Sequence, residues 1–250
     1  MKVSLVSTVY NEQSSIAEFL NSIAEQTRLP DELVIVDGGS TDGTVDTLKE
    51  FAKHAKFALN IVCEGKCNIA KGRNLAIRKA TNEIIAVTDE GCRLAKNWLE
   101  MIVKPFYDPS INVVGGWYEP DPRTDFEKTI AEITFPKLDS IDSEKFLPSS
   151  RSLAFRISVW EKTNGYPEWL TFAGEDTYFD LAILKKGFKI HFENTAIVYW
   201  QPRKDIKSFA KQMYLYGFGD GEARQNYNIF LHFLIRFLIT LLPLISLPFS

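Results

Sequence analysis

The chain has little that would tie it to zinc, to a disulfide framework or to a nucleic acid. It holds three cysteines and three histidines in 250 residues. The cysteine count is odd, and no histidine or cysteine stands at zinc-ligand spacing from Cys63, Cys67 or Cys92. Cys63 and Cys67 therefore read as reduced, partly buried thiols, which suits a domain facing the cytosol. Charge of one sign is also scarce. The formal net charge is only −3, and no arginine-rich or RNA-module motif is present, so no nucleic-acid partner is expected. The amino end opens directly into a strand-like run, and no signal peptide is expected.

What is present is an ordinary globular composition, enough for one large α/β domain or two small ones. Its most informative stretch is residues 33–44. Leu33 to Val36 is a short, β-branched apolar run, which reads as a buried strand ending at Asp37. Gly38 and Gly39 let the backbone turn and approach a ligand without a Cβ in the way. Ser40, Thr41 and Asp42 offer caps for a helix with Val45, Leu48, Phe51 and Ala52 on one face. Ligands of open α/β sheets bind beyond the carboxyl ends of strands, so Asp37 faces a candidate crevice. A solvated Gly-Ser-Asp turn has the same local appearance.

The rest of the amino-terminal half repeats this plan. Val3 to Val9 is a strand leading into Tyr10, Asn11 and Glu12, where Tyr10 is placed to stack on a flat ring or to fill the core. Ser14 is expected to cap a helix with Ile16, Phe19, Leu20 and Ile23 inward. Ala58 to Val62 reads as a third strand and Ile69 to Ala80 as a helix. Lys71 and Arg73 lie in that helix's first turn, where cations oppose the dipole unless they face an anion. A phosphate gripped by Arg73 would resolve the conflict, and a plain exposed basic turn is the alternative. Glu83 to Thr88 is a fourth strand, running into Asp89, Glu90, Gly91 and Cys92. Strand and helix alternate, and three strands end in polar or acidic groups, the pattern of a nucleotide-binding half-sheet.

The second half is less regular. Lys96 to Phe106 reads as a helix with Trp98, Leu99, Ile102, Val103 and Phe106 inward, and Ile111 to Tyr118 as a strand. Residues 119–150 are rich in Pro, Asp and Ser, with a helical patch near Phe126 to Ile133; irregular insertions of this kind shape substrate mouths. Ser152 to Phe155 is a strand, followed by a short helix and the turn Asn164-Gly165-Tyr166-Pro167. Glu175 and Asp176 then open a helix, where acidic residues are favoured on dipole grounds alone. Lys189 to Trp200 reads as an edge strand. Lys204 to Asn226 is helical, basic and aromatic, with Gly217, Gly219 and Gly221 expected to loosen it; a flap over the site and a membrane-surface helix are both open.

Four of these segments, in this order, resemble the motifs of family 2 glycosyltransferases: Thr8-Val9-Tyr10-Asn11-Glu12, Val36-Asp37-Gly38-Gly39-Ser40-Thr41-Asp42-Gly43-Thr44, Gly72-Arg73-Asn74, and Ile85-Ala86-Val87-Thr88-Asp89. Glu175-Asp176 supplies a fifth, and the resemblance covers about residues 1–200. It implies a GT-A-like α/β fold, with a mixed, mostly parallel sheet between helices. It implies that Thr8, Tyr10, Glu12, Asp37, Gly39, Arg73 and Asp89 bind a nucleotide sugar, that Asp176 is the general base, and that Glu175 orients it or binds acceptor. Asp89 matches the first aspartate of the family's Asp-x-Asp, which helps to hold Mg²⁺ or Mn²⁺. Gly91 stands at the second, and Trp200 where many relatives carry histidine, so metal dependence is open. Lys71, Arg73, Arg93 or Arg203 would then neutralise the diphosphate.

The implied division is residues 1–203 as the transferase domain, with 1–93 for the nucleotide sugar and 94–203 for the acceptor. Residues 204–228 would be juxtamembrane and 229–250 membrane-associated. Ile229 to Phe249 is nearly all apolar and about long enough to span a bilayer, but His232, Arg236, Pro243 and Pro248 interrupt it. A spanning helix, an interfacial anchor and a helix packed on a partner all remain. Lys204, Lys207, Lys211 and Arg224 precede it and would keep the domain on the cytoplasmic side. The expected activity is inverting transfer from a nucleoside-diphosphate sugar to a saccharide, lipid-linked or protein acceptor. A silent nucleotide-binding membrane scaffold is the rival. A sugar nucleotidyltransferase fits less well, because Tyr10-Asn11-Glu12 is not the Gly-rich basic loop such an enzyme needs after its first strand.

Overall fold

The computed structural model describes residues 1–225 together with Leu231 and Ile235. Eight strands form one mixed sheet in the order β3-β2-β1-β4-β7-β6-β8-β5. The first four, β1 (Val3–Val9), β2 (Glu32–Asp37), β3 (Ala58–Cys63) and β4 (Ile84–Val87), run parallel. The apolar runs of β2 and β4 are unbroken and buried, as in strands covered by helices on both faces, and alternate side chains enter opposite cores. Leu33 and Ile35 pack with α1 (Ile16–Ala24), α2 (Thr44–Ala52) and α4 (Trp98–Val103). Val34 and Val36 pack with α3 (Ile69–Lys79), α6 (Ile157–Thr163) and α7 (Glu175–Lys185). All four are fully buried, and each stabilises the fold by roughly 1.5–3 kcal/mol relative to exposure.

The carboxyl-terminal strands reverse the pattern. Strand β7 (Leu153–Arg156) enters antiparallel between β4 and β6 (Val113–Pro120). Strand β8 (Ile190–Trp200) lies parallel to β6, and β5 (Cys92–Leu94) pairs with its last three residues. The end of β6 and the start of β7 therefore share one sheet edge with the carboxyl ends of β1, β2 and β4. The connection between them, residues 121–152, lies at that edge and carries α5 (Asp125–Thr134). A capping box starts α5: Thr124 accepts the Glu127 N–H while the Glu127 carboxylate accepts the Thr124 N–H.

Several elements differ from the sequence-based expectation. Ser15, not Ser14, precedes α1, and its hydroxyl donates to the Glu12 carboxylate (2.9 Å) rather than capping the helix. Strand β8 is not an edge strand at its carboxyl end, because β5 pairs outside it; three residues are too few to show a period. Helix α8 (Ile206–Glu222) runs unbroken through Gly217, Gly219 and Gly221. Gly219 serves packing: a Cβ there would fall 2.3 Å from the Ala173 carbonyl oxygen. The Thr171 N–H and hydroxyl both donate to the Glu222 carboxylate at 2.7 Å, fixing α8 to the segment before α7. Cys63, Cys67 and Cys92 are all unpaired thiols. Among the described residues no helix is long and apolar enough to cross a membrane. The apolar run 229–249, which carried the membrane expectation, lies outside the described residues apart from Leu231 and Ile235.

Candidate active site

The loops after β1 and β2 are cross-braced into one floor. Asn11 turns the chain in the left-handed region (φ 55°), which asparagine tolerates better than most residues. Its N–H donates to Ser40 Oγ, its Oδ1 accepts the Thr41 N–H, and the Glu12 N–H donates to Thr44 Oγ1, each at 2.8 Å. Asp37 ends β2 with 2% of its surface exposed. Its carboxylate accepts the N–H groups of Gly39 and Ser40 at 3.1 Å, which leaves further lone pairs for a ligand. Gly39 has φ +92°, and a Cβ there would sit 3.0 Å from the Gly65 carbonyl carbon, so the turn requires glycine. Thr8 is half-buried, and Tyr10 is exposed at the same edge.

Arg73 links the two halves of the sheet. Asn68 caps α3 by accepting the Lys71 N–H (2.8 Å), and Gly72 lets the helix close on β1, since a Cβ would lie 2.8 Å from Thr8 Cγ2. Arg73 then points inward and is 2% exposed. Its Nη2 donates to Asp89 Oδ1 (2.6 Å) and its Nη1 to Glu175 Oε1 (2.5 Å), with the guanidinium 5.4 Å from the Tyr166 ring centroid. The turn is thus not a solvated basic one. The anion that opposes Arg73 is a pair of the protein's own carboxylates, while Lys71 pairs with Glu64 (2.9 Å).

One cation does not fully support two carboxylates. Burial works against the Arg73 charge, but Asp89 and Glu175 outweigh it and hold the guanidinium well above its ordinary range. Burial would raise Asp89, but Arg73 prevails and holds it below the usual carboxylate range. At Glu175 burial prevails over Arg73, the Asp176 charge adds to it, and the carboxyl is pushed up.

Asp176, in the first turn of α7, is half-buried. Its Oδ1 accepts the Thr177 N–H (2.8 Å) and its Oδ2 accepts Ser149 Oγ (3.3 Å). Arg151 also donates to Ser149 Oγ (2.8 Å), and its guanidinium lies over Trp200, 3.9 Å from the ring centroid. Burial opposes the Arg151 charge, but Asp89 and Asp176 are among the groups that raise it above its usual range. Arg151 is the site residue that sequence reasoning missed, because it falls where residues 119–150, with no usable period, give way to β7. Trp200, singled out as a departure from relatives, is the shelf on which it rests.

The Glu12 carboxylate accepts the Ser15 hydroxyl. It lies beside Glu90, whose carboxyl is pushed up to about 8 by burial and by the Glu12 charge. Both line a cavity of about 340 Å³ bordered by Gly91, Arg93, Arg123 and Arg203. Among the described residues no hydrogen bond or ion pair joins Asp37 or Glu12 to Arg73, Asp89 or Asp176. The motifs share an edge in two groups: Asn11 and Glu12 bond to Ser40, Thr41 and Thr44, while Arg73 bonds to both Asp89 and Glu175, with Asp176 next to Glu175 in the chain.

The family described as glycosyl transferase family 2 matches residues 4–174. The chain belongs to that family. It is similar to the O-antigen chain rhamnosyltransferase RfbN of Salmonella typhimurium, 26% identical over 225 residues, covering 84% of this chain and 70% of that protein. The mannosyltransferase PcManGT from Pyrobaculum calidifontis, solved with GDP-Man and Mn²⁺, superposes with a TM-score of 0.67 at 27% identity. That match covers 83% of this chain and 59% of the mannosyltransferase. S. aureus TarS 1–349 in complex with UDP-GlcNAc shares the fold, with a TM-score of 0.65 at 22% identity over 82% of this chain and 60% of that one.

The donor set of this family 2 chain limits how it would hold a cation. Among the described residues no three His, Cys, Asp or Glu side chains gather as ligands. Gly91 supplies no carboxylate, and a Cβ there would meet open space. Asp89 has one oxygen on Arg73 and one left over. That suits Mg²⁺ or Mn²⁺ only where phosphate and water supply most of the coordination, an arrangement Mg²⁺ commonly adopts.

Proposed function

We propose that this chain transfers a glycosyl group from a nucleoside-diphosphate sugar to a hydroxyl acceptor with inversion, using Asp176 as general base. The observation that carries the reading is the Arg73 contact with both Asp89 and Glu175, which puts Asp176 at the same edge as the β4 terminus. Thr8, Tyr10, Asp37 and Gly39 would line the nucleobase and ribose end of the donor, with Glu12 further along. Asp176 would take the acceptor proton as the acceptor oxygen bonds to the anomeric carbon. The bond from that carbon to the diphosphate oxygen breaks on the opposite face, so no covalent enzyme intermediate forms. Arg151, beside Asp89 and Asp176, would offset charge on the departing diphosphate. Asp89 would hold a divalent cation, which supplies further neutralisation of that diphosphate when bound.

Relatives named for O-antigen chain synthesis favour a saccharide acceptor in cell-envelope glycan assembly. Membrane attachment through 229–249, with the catalytic face toward the cytoplasm, is part of the same proposal.

A thermal-shift panel with UDP, dTDP, GDP and CDP, each with Mn²⁺ or with chelator, tests the donor pocket. One nucleotide is expected to stabilise selectively, and its metal dependence reports on Asp89. Absence of any shift in folded protein would favour the silent scaffold. Asp176→Asn is expected to abolish transfer while nucleotide binding stays nearly unchanged; equal loss of both would remove Asp176 from the role of base.

A further inference from the structure

A second hollow, of about 720 Å³, lies on the outer side of the layer formed by α3, α6 and α7. Its floor is rigid. Buried Asn74 accepts the Tyr166 N–H and the Trp160 indole N–H at 2.9 Å and donates to the Tyr166 carbonyl (2.8 Å) and Glu168 Oε1 (2.9 Å). One wall is aromatic: Trp169, 55% exposed, meets Tyr178 edge to face with centroids 5.5 Å apart. The rim is polar. Arg78 reaches Glu168 Oε1 only at 3.4 and 3.5 Å, too long for strong hydrogen bonds, so both groups keep capacity for a ligand.

We propose that this hollow is a saccharide subsite separate from the reaction centre, holding a sugar unit of a glycan. A pyranose presents an apolar C–H face and a ring of hydroxyls. It therefore needs an aromatic plate with donors and acceptors around it, which Trp169, Tyr178, Arg78 and Glu168 provide. A lipid tail would strand the charged rim without water. A phosphate would meet the negative charge of Glu161 and Glu168. Tyr178 follows Asp176 by two residues, about 200° around the helix, so an occupant sits across α7 from the proposed base, about 10 Å away. The floor is nonetheless shared: Tyr166 lies beneath the Arg73 guanidinium and is bonded twice to Asn74. The choice of a glycan rests on the transferase reading; the geometry of the hollow does not.

Ligand-observed saturation-transfer NMR on the full chain tests this with glucose, mannose, rhamnose, N-acetylglucosamine and octyl β-glucoside as probes. At least one probe is expected to receive saturation at its ring protons. Trp169→Ala, an exposed change with little effect on folding, is expected to lose most of that signal. Asp176→Asn and saturating UDP are expected to leave it intact. No ring saturation with any probe, equal signal in Trp169→Ala, or displacement by UDP would overturn the proposal. So would saturation confined to the octyl chain, which would assign the hollow to an apolar ligand. The nucleotide panel judges the transferase reading on its own, so the two failures are distinguishable.

Discussion

Arg73 holds buried Glu175 and half-buried Asp89 with a planar fork that lysine lacks. Arg73→Met would leave buried Glu175 without its cation and Asp89 with only Arg151 nearby, a loss of about 3–5 kcal/mol. It should appear as a lower urea midpoint with an unchanged slope. Arg73→Lys is expected to fall between, since one ammonium does not reproduce both bonds. Asp180 presents the opposite case. It is fully buried one turn after Asp176, and neither carboxylate oxygen has a partner among the described residues. Burial, and then the Asp176 charge, push its carboxyl far above the usual aspartate range. The folded state therefore keeps a proton that the unfolded chain releases. A raised acid gives its full stabilisation below the unfolded value and loses it as pH rises toward the folded one. Stability should therefore fall with rising pH above the unfolded aspartate range, by at most about 1.4 kcal/mol per pH unit from this group. Asp180→Asn should remove that slope in urea titrations at several pH values. Neither Asp180 nor Arg151 was legible beforehand. A single acid in a helix ordinarily marks a solvated face, and an arginine among serines carries no period.

At the scale of elements, α8 turns on one glycine. Gly219→Ala would drive a methyl group into the Ala173 carbonyl and should undock the helix, read as faster amide exchange across Ile206–Glu222. Gly221→Ala meets nothing within 4 Å and should instead stabilise the helix by up to about 1 kcal/mol. The sequence cannot separate these two glycines, because the difference lies in a contact with residue 173. What it does make legible are the parallel strands and the helices between them. Continuous apolar runs such as Leu33 to Val36 have one stable placement, covered on both faces. The same logic fails for β5, which exists only because β8 offers it an edge. The anion demanded by Lys71 and Arg73 was legible as a need. Its identity, Glu64 for Lys71 and Asp89 with distant Glu175 for Arg73, was not, since nothing local specifies residue 175.

For the whole molecule, the proposed nucleotide binding would be linked to folding in one equilibrium. A nucleotide at a hundred times its dissociation constant should stabilise the protein by about 2.7 kcal/mol. The gain should be smaller in Asp37→Ala, which removes the proposed acceptor for the base along with the carboxylate that holds Gly39 and Ser40. The antiparallel entry of β7 has a different consequence. Both ends of residues 121–152 are anchored on neighbouring strands at the edge that carries the candidate site. The middle of this segment, residues 136–145, is mostly exposed and can lengthen, shorten or be exchanged while every strand keeps its register, since doubling a flexible loop costs only about 0.6 kcal/mol. Chimeras that swap residues 136–145 between relatives, with Ser149 and Arg151 left in place, would then be a route to new acceptors on an unchanged donor platform.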